Sequence, residues 1–213
     1  FKVSAHGKSN QQAIVLDSTG RSYSLPAHTL PSARGQGEPV SGRVAPPSGA
    51  TFEGVVIGDE QADVLIASDA GYGFVCQMKD LVSNKKSGKT VLRCPKGSKL
   101  LTTLLVHDYK SDWIVSVSNE GRMLIFPISD LPRLARGKGN KIINIPTKRV
   151  AERIEFVSAM AVLSLDSILT IYAGRRHHNL KPTDLDHYRG ERGRRGNKLP
   201  RGFQNVDKIS VVV

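Results

Sequence analysis

Glycine returns in this chain at a near-constant interval, and that interval constrains the fold more than any other feature. PSARGQG, VSNKKSG, RLARGKG and GERGRRG end on Gly37, Gly88, Gly139 and Gly196, spaced 51, 51 and 57 residues. A second set, in DSTGR, SDAGY and SNEGR, falls on Gly20, Gly71 and Gly121, spaced 51 and 50. Between them come Leu30, Leu81, Leu131 and Leu185, spaced 51, 50 and 54. Three markers on one period make each unit a single supersecondary piece that buries its apolar faces by stacking on its neighbours.

The units read as strands. AIVLD, VLIASD, WIVSVS and AVLSLD are short β-rich runs, and the first three meet a polar glycine turn that suits a hairpin. RSYSL, YGFVCQM, RMLIFPI and ILTIYA follow as return strands; Ser167 replaces the glycine in the fourth unit, so a different hairpin turn is expected there. Further strands follow the basic turns, as in TVLRC and KIINI, and then an inner strand such as LLTTLLVH. FKVSAHG reads as an inner strand of the first unit and VDKISVVV as a last strand, while SDLPRLA and TDLDHYR are the only short helix candidates. The expected fold is all-β and propeller-like, with four-stranded blades. The blades occupy about 1–45, 46–97, 98–147 and 148–213 of a single domain, and APPSGAT is a loop between blades.

Charge is clustered on the same framework. The net charge is +12, yet windows 83–99, 133–153 and 175–201 each carry +6, leaving −6 for the remainder. Such basicity favours polyanionic partners, nucleic acid or an anionic membrane surface. Cys76 and Cys94 lie in apolar runs without the further ligands a zinc site or disulfide framework needs, and read as buried free thiols of a reducing cytosol. No apolar run in these residues approaches the length of a membrane span, and no signal peptide is visible among them. The chain opens at Phe1 inside a strand-like run, without Met, and reads as a fragment of a longer polypeptide.

The basic glycine turns have a chemical reading. Neutralising several phosphates of a duplex releases counterions and gives affinity without sequence readout. Glycine lets the main chain approach a phosphate, arginine holds one with a planar fork, and lysine acts as a point charge. The candidate DNA-binding residues are Arg34, Lys85, Lys86, Lys89, Arg136, Lys138, Lys141, Arg192, Arg194, Arg195, Lys198 and Arg201. One such turn alone is usually a solvated loop. Four in register, holding most of the positive charge, are not. The first is the weakest, because Gln36 and Glu38 dilute Arg34. His177 and His178 lack partners for a metal site, Trp113 and Phe126 read as core, and Asp17, Asp69 and Asp166 read as turn caps.

The blade ending in a basic glycine turn resembles the C-terminal domain of bacterial type IIA topoisomerase A subunits. In gyrase one such turn is the heptad QRRGGKG, and none of the four turns here matches it in full. The missing leading Gln-Arg is the departure typical of the topoisomerase IV branch, whose boxes are degenerate. HGKSNQ, DSTGRSY, LPSARGQGEP, SDAGYGFV and GERGRRG all look like that branch, and the resemblance runs along the whole chain.

It implies a β-pinwheel with strands exchanged between neighbours and DNA on the outer rim. The function it implies is sequence-nonspecific duplex binding and bending, which selects and orients DNA for a topoisomerase core. That parent enzyme is ATP-dependent, relaxes supercoils, unlinks daughter chromosomes and so serves their segregation. It further implies ATP and Mg2+ handled by other domains or a second polypeptide, with no cofactor in this fragment. The implied partners are the rest of the topoisomerase IV A subunit, with its B subunit, in a heterotetramer; a condensin-type protein is another. The implied location is the bacterial cytoplasm, at the chromosome, with room for peripheral membrane association of the parent. The cleavage tyrosine of the family belongs to a different domain, and Tyr188-Arg189 is in reverse order for a cleavage pair, so the fragment is expected to be non-catalytic. The alternative is a propeller-type protein-interaction scaffold, although DW at 112–113 reverses the WD signature and no double glycine marks the blades.

Overall fold

A turn closed by one backbone bond shapes each of the first three hairpins. Gly20, Gly71 and Gly121 donate their N–H groups to the carbonyls of Asp17, Ser68 and Ser118 at 3.0, 3.0 and 2.9 Å. The strands they join are buried at successive positions, as at Ile14, Val15 and Leu16, so both faces of each hairpin are covered. A strand buried on both faces needs a sheet above and a sheet below. That demand builds the repeat.

The structure, a computed structural model, describes residues 3–32, 34–164 and 166–212. Its strands are β1 (Gln12–Asp17), β2 (Arg21–Pro26), β3 (Phe52–Ile57), β4 (Asp63–Ser68) and β5 (Tyr72–Gln77). Then come β6 (Lys89–Thr90), β7 (Leu104–Val106), β8 (Trp113–Ser118), β9 (Arg122–Pro127) and β10 (Asn140–Lys141). The last are β11 (Val157–Leu163), β12 (Ile168–Ala173), β13 (Arg176–Leu180), β14 (Asn197–Lys198) and β15 (Lys208–Val212).

Three sheets share one plan: β3-β1-β2-β6, β7-β4-β5-β10 and β11-β8-β9-β14, antiparallel throughout. In each, a hairpin holds the middle and the inner strand comes from the chain that follows. The short outer strand is supplied by the next unit's basic turn. The fourth sheet, β15-β12-β13, has no outer strand among the described residues. The fold is therefore all-β and blade-repeated, as the period implies, and a pinwheel with exchanged strands, as the resemblance implies.

The core lies between blades. Ile14, Leu16, Val64, Ile66, Phe74 and Leu92 fill the first seam. Leu65, Val75, Ile114, Phe126 and Ile142 fill the second, and Val115, Ile125, Leu169, Ile171 and Leu199 the third. The leucine register follows suit: Leu81, Leu131 and Leu185 are buried, whereas Leu30 is 40% exposed. Inner strands and their approaches surround a central cavity of about 840 Å³, lined in part by Glu53, Leu100, Val157 and Ile209.

The fourth unit departs from its expected layout. AVLSLD does not open its hairpin; Val157–Leu163 is the inner strand of the third blade, paired along β8. ILTIYA is the first hairpin strand, Arg176–Leu180 returns, and the tight turn is Gly174-Arg175. Ser167 instead turns the chain from one blade into the next. Its buried hydroxyl accepts from the Ser164 N–H at 3.0 Å and meets the Ser164 hydroxyl at 2.9 Å. Leu165 lies outside the described residues.

The two ends and the helices also differ in detail. Of FKVSAHG, Phe1 and Lys2 lie outside the described residues and 3–7 forms no strand. VDKISVVV does supply the last strand, β15, with Val213 outside the described residues. Among the described residues helix is confined to single turns: α1 (Met78–Leu81), α2 (Thr147–Ala151), α3 (Pro182–Leu185) and a few 3-10 segments. SDLPRLA holds only part of the 3-10 turn Ile128–Asp130, whereas TDLDHYR does turn helically, and α2 was not legible in the sequence.

Candidate nucleic-acid interface

The basic turns are built to dock. Gly139 adopts φ +77° and rests on the backbone of Gly73 in the preceding blade, where a Cβ would collide with the Gly73 carbonyl. Equivalent Cβ atoms would come within 2.7 Å of the Ser22 carbonyl at Gly88, and 2.6 Å of the Met123 carbonyl at Gly196. Only glycine fits such a left-handed position pressed on another backbone. Three residues further on, Val91, Ile142 and Leu199 donate N–H bonds to the hairpin carbonyls of Gly20, Gly71 and Gly121, at 2.9, 2.7 and 2.8 Å. Both glycine registers thus belong to one seam.

The turns are also tied to each other. The carbonyls of Lys86, Gly137 and Arg194 each lie two residues before a turn's last glycine. They accept from the N–H groups of Ala45, Arg93 and Asn144 at 2.7, 2.8 and 2.9 Å, in the segments that follow the preceding turns. The result is a hydrogen-bonded belt from blade to blade. A side chain after each hairpin glycine clasps the arriving turn. Arg21 Nη1 donates to the Ser87 carbonyl at 3.1 Å and Arg122 Nη1 to the Gly196 carbonyl at 3.2 Å. In the second blade, Tyr72 instead receives Lys138 Nζ 3.9 Å from its ring centroid.

The first turn stands apart from this belt. Gly37 has the same left-handed φ, +75°, yet nothing lies within 4 Å of where its Cβ would be. Arg34 is exposed there, while Ala33 lies outside the described residues. Lys85, Lys86, Arg136, Lys198 and Arg201 are exposed on the later turns and their flanks, and Lys89 is half-buried on β6.

Other candidates are already engaged. Lys141 Nζ donates to Asn144 Oδ1 at 3.1 Å and sits 5.7 Å from the Tyr72 ring centroid. Arg192 donates to the Lys141 carbonyl at 2.8 Å, and Arg194 pairs with Glu191 at 2.7 Å. Arg195 donates to the Asn144 carbonyl at 2.8 Å and to the wholly buried Glu155 at 2.6 Å. Arg149 shares that carboxylate at 3.0 Å and also pairs with Glu120. Arg21, Tyr72, Arg122 and Arg149 were missed as parts of this surface. The first three follow the hairpin glycines directly, so their register could have revealed them.

The remaining groups serve the scaffold. Asp17 Oδ1 accepts from the Thr19 N–H at 2.9 Å, and its other oxygen accepts from the Tyr23 hydroxyl at 2.6 Å. Burial, then that bond, pushes the Tyr23 phenol well above its ordinary range. Asp69 accepts from the Lys99 N–H at 2.9 Å and pairs with Arg153 at 2.7 Å. Cys76 is buried and Cys94 half-buried, both free; burial pushes the Cys94 thiol up to about 12 and Cys76 higher still. These are not nucleophile settings. Phe126 is core, whereas Trp113 is half-buried beneath the Arg189 guanidinium, 4.6 Å from its ring centroid. His178 packs 5.6 Å from Phe203 and His177 6.4 Å from Tyr172.

Exchanged strands and a belt of glycine turns define a blade-repeat domain of the class carried by the A subunits of gyrase and its relatives. A family model described as the DNA gyrase C-terminal domain, β-propeller, matches residues 62–107 and 112–164. The A subunit of DNA topoisomerase 4 from Pseudomonas aeruginosa is 57% identical over 211 residues, covering 99% of this chain and 28% of that protein. Its Escherichia coli K12 counterpart is 45% identical over 211 residues, with the same coverage. The solved E. coli ParC C-terminal domain superposes with a TM-score of 0.87 at 44% identity, covering 97% of this chain and 83% of that one. A DNA gyrase A C-terminal domain, 14% identical with a TM-score of 0.73, shares the fold.

The chain belongs to the family of C-terminal domains of the topoisomerase IV A subunit, ParC. It spans 28% of the length of the whole subunits it matches.

Proposed function

We propose that this chain is a duplex-binding module that selects and orients DNA for a topoisomerase IV core. The observation that carries the reading is the belt: consecutive docked turns present Lys85, Lys86, Arg136 and Lys198, exposed and, among the described residues, without an acidic partner, along successive blade edges. Cations strung along an arc match the phosphates of a curved backbone and ignore base identity. Bending a site of 20–30 base pairs costs on the order of 1–6 kcal/mol, an amount several phosphate contacts offset. The turns lack the full gyrase heptad, so the duplex is guided and bent rather than wrapped. The parent then relaxes and unlinks DNA without introducing negative supercoils. ATP and Mg2+ belong, on this reading, to other domains or the second subunit.

Salt-dependent binding of a short duplex tests the proposal. Neutralising roughly six phosphates predicts a slope near −5 for log K against log salt. Binding that ignores salt, or that demands one sequence, refutes it. So does strong chiral wrapping of plasmid by the domain.

A further inference from the structure

The cross-strand partner of the clasp residue changes from blade to blade. Arg21 faces Thr90 in the first and Tyr72 faces Lys141 in the second, but in the third Arg122 faces Lys198. Like charges directly opposed on a ladder destabilise it. Among the described residues the Arg122 guanidinium donates to the Gly196 carbonyl alone, and Lys198 forms no ion pair. This pair sits at a recess of about 610 Å³ in the seam between the third and fourth blades, where Arg149 and Arg195 also line the wall.

Those two guanidiniums are held in place from behind. Glu155, wholly buried, accepts from both through one oxygen, at 3.0 and 2.6 Å, and Glu120 pairs with Arg149 at the rim. Two carboxylates against four cations leave an excess of two positive charges around the recess. A role limited to neutralising Glu155 accounts for Arg149 and Arg195. It does not account for Arg122 and Lys198.

We infer that this recess is a phosphoryl-binding seat, formed by Arg122, Arg149, Arg195 and Lys198. A phosphoryl oxygen there relieves the opposed pair and meets guanidiniums whose geometry is already fixed, so little ordering is left to be done on binding. Lys198 and Arg195 belong to the fourth basic turn, so a duplex backbone following the rim reaches the seat directly. That source rests on the DNA-binding reading above. A free polyphosphate presents the same chemistry.

The test uses the whole chain, with tripolyphosphate and a short duplex as probes. Arg122→Gln combined with Lys198→Gln, and separately Lys198→Glu on the exposed side chain alone, should each weaken tripolyphosphate about tenfold or more, and Lys198→Glu, which leaves the Arg122 clasp intact, should do so at an unchanged melting temperature. Lys79→Gln with Lys110→Gln removes the same charge elsewhere and should leave tripolyphosphate binding unchanged. Duplex affinity should fall with the seat variants, and the salt slope should shrink by about 1 per lost contact. Equal tripolyphosphate affinity in all variants means a diffuse field and overturns the seat. Loss of tripolyphosphate with unaltered duplex binding supports the seat and assigns it to a free phosphorylated ligand. Tripolyphosphate binding by a chain that binds no duplex at all sinks the DNA-binding reading while the seat stands.

Discussion

Arg195 donates to the wholly buried carboxylate of Glu155 at 2.6 Å, 40 residues away in the chain. In sequence it looks like one more cation of a DNA-binding loop, yet it fastens the fourth turn to the third blade. Arg195→Ala should therefore lower stability by about 1–3 kcal/mol, since Arg149 still covers part of the Glu155 charge. Chemical denaturation measures this, with Arg136→Ala as comparison, because Arg136 is exposed and should cost little stability. Equal stability losses refute the distinction.

Docking of the turns predicts a contrast between two glycines of the same φ. Gly37→Ala and Gly139→Ala both place a side chain in the left-handed region, a cost of about 1–2 kcal/mol each. Only at Gly139 does the new Cβ strike backbone of the preceding blade. Its unfolding midpoint should fall well below that of the Gly37 variant. Similar midpoints indicate that the third turn is not seated on its neighbour.

The turns should differ in their share of DNA binding. Replacing Arg136, Lys138 and Lys141 by Ala should weaken duplex binding more than replacing Arg34. The third turn lies within the belt, and the first is undocked beside Glu38. Tyr72 adds a check, because it gathers Lys138 and Lys141 over one ring. A cation–π contact at an exposed site is worth about 0.5–1 kcal/mol. Tyr72→Phe should keep affinity and Tyr72→Ala should lose some of it. Equal losses from the first and third turns count against this order.

Stability should decline on the alkaline side. Burial raises Cys76, Cys94 and Tyr23 above their ordinary values of 9.0, 9.0 and 10.0. A raised acid holds its proton longer in the folded state than in the unfolded chain. Its contribution is complete below the unfolded pKa and is lost as pH climbs through and beyond it. Urea midpoints should thus hold from neutrality to about pH 9 and then drop, and Cys76→Ala should soften the drop. Midpoints unchanged from pH 8 to 11 refute this.

Much of the architecture is legible in one dimension because its causes are local. A hairpin turn selects glycine through its own backbone, and an apolar run buried on both faces selects a stacked strand. The register of Gly20, Gly71 and Gly121 therefore reports three blades without reference to anything distant. The fourth blade escaped the same reading. Its hairpin uses the two-residue turn at Gly174, and AVLSLD, strand-like by composition, completes the sheet before it. Composition marks a strand but not the sheet it joins.

The repeat, the hairpins and the clustering of positive charge are each set by residues close together in the chain. Which cations face outward is set by the stacking of the blades. Arg136 and Arg195 are both arginines of basic glycine turns, but one is exposed and the other closes on a carboxylate brought in by the third blade. The partner that decides this, like the Gly73 backbone under Gly139 or Lys198 opposite Arg122, lies 40 to 76 residues away along the chain. Side-chain reach is a few ångströms, so proximity of that kind exists only once the blades have stacked.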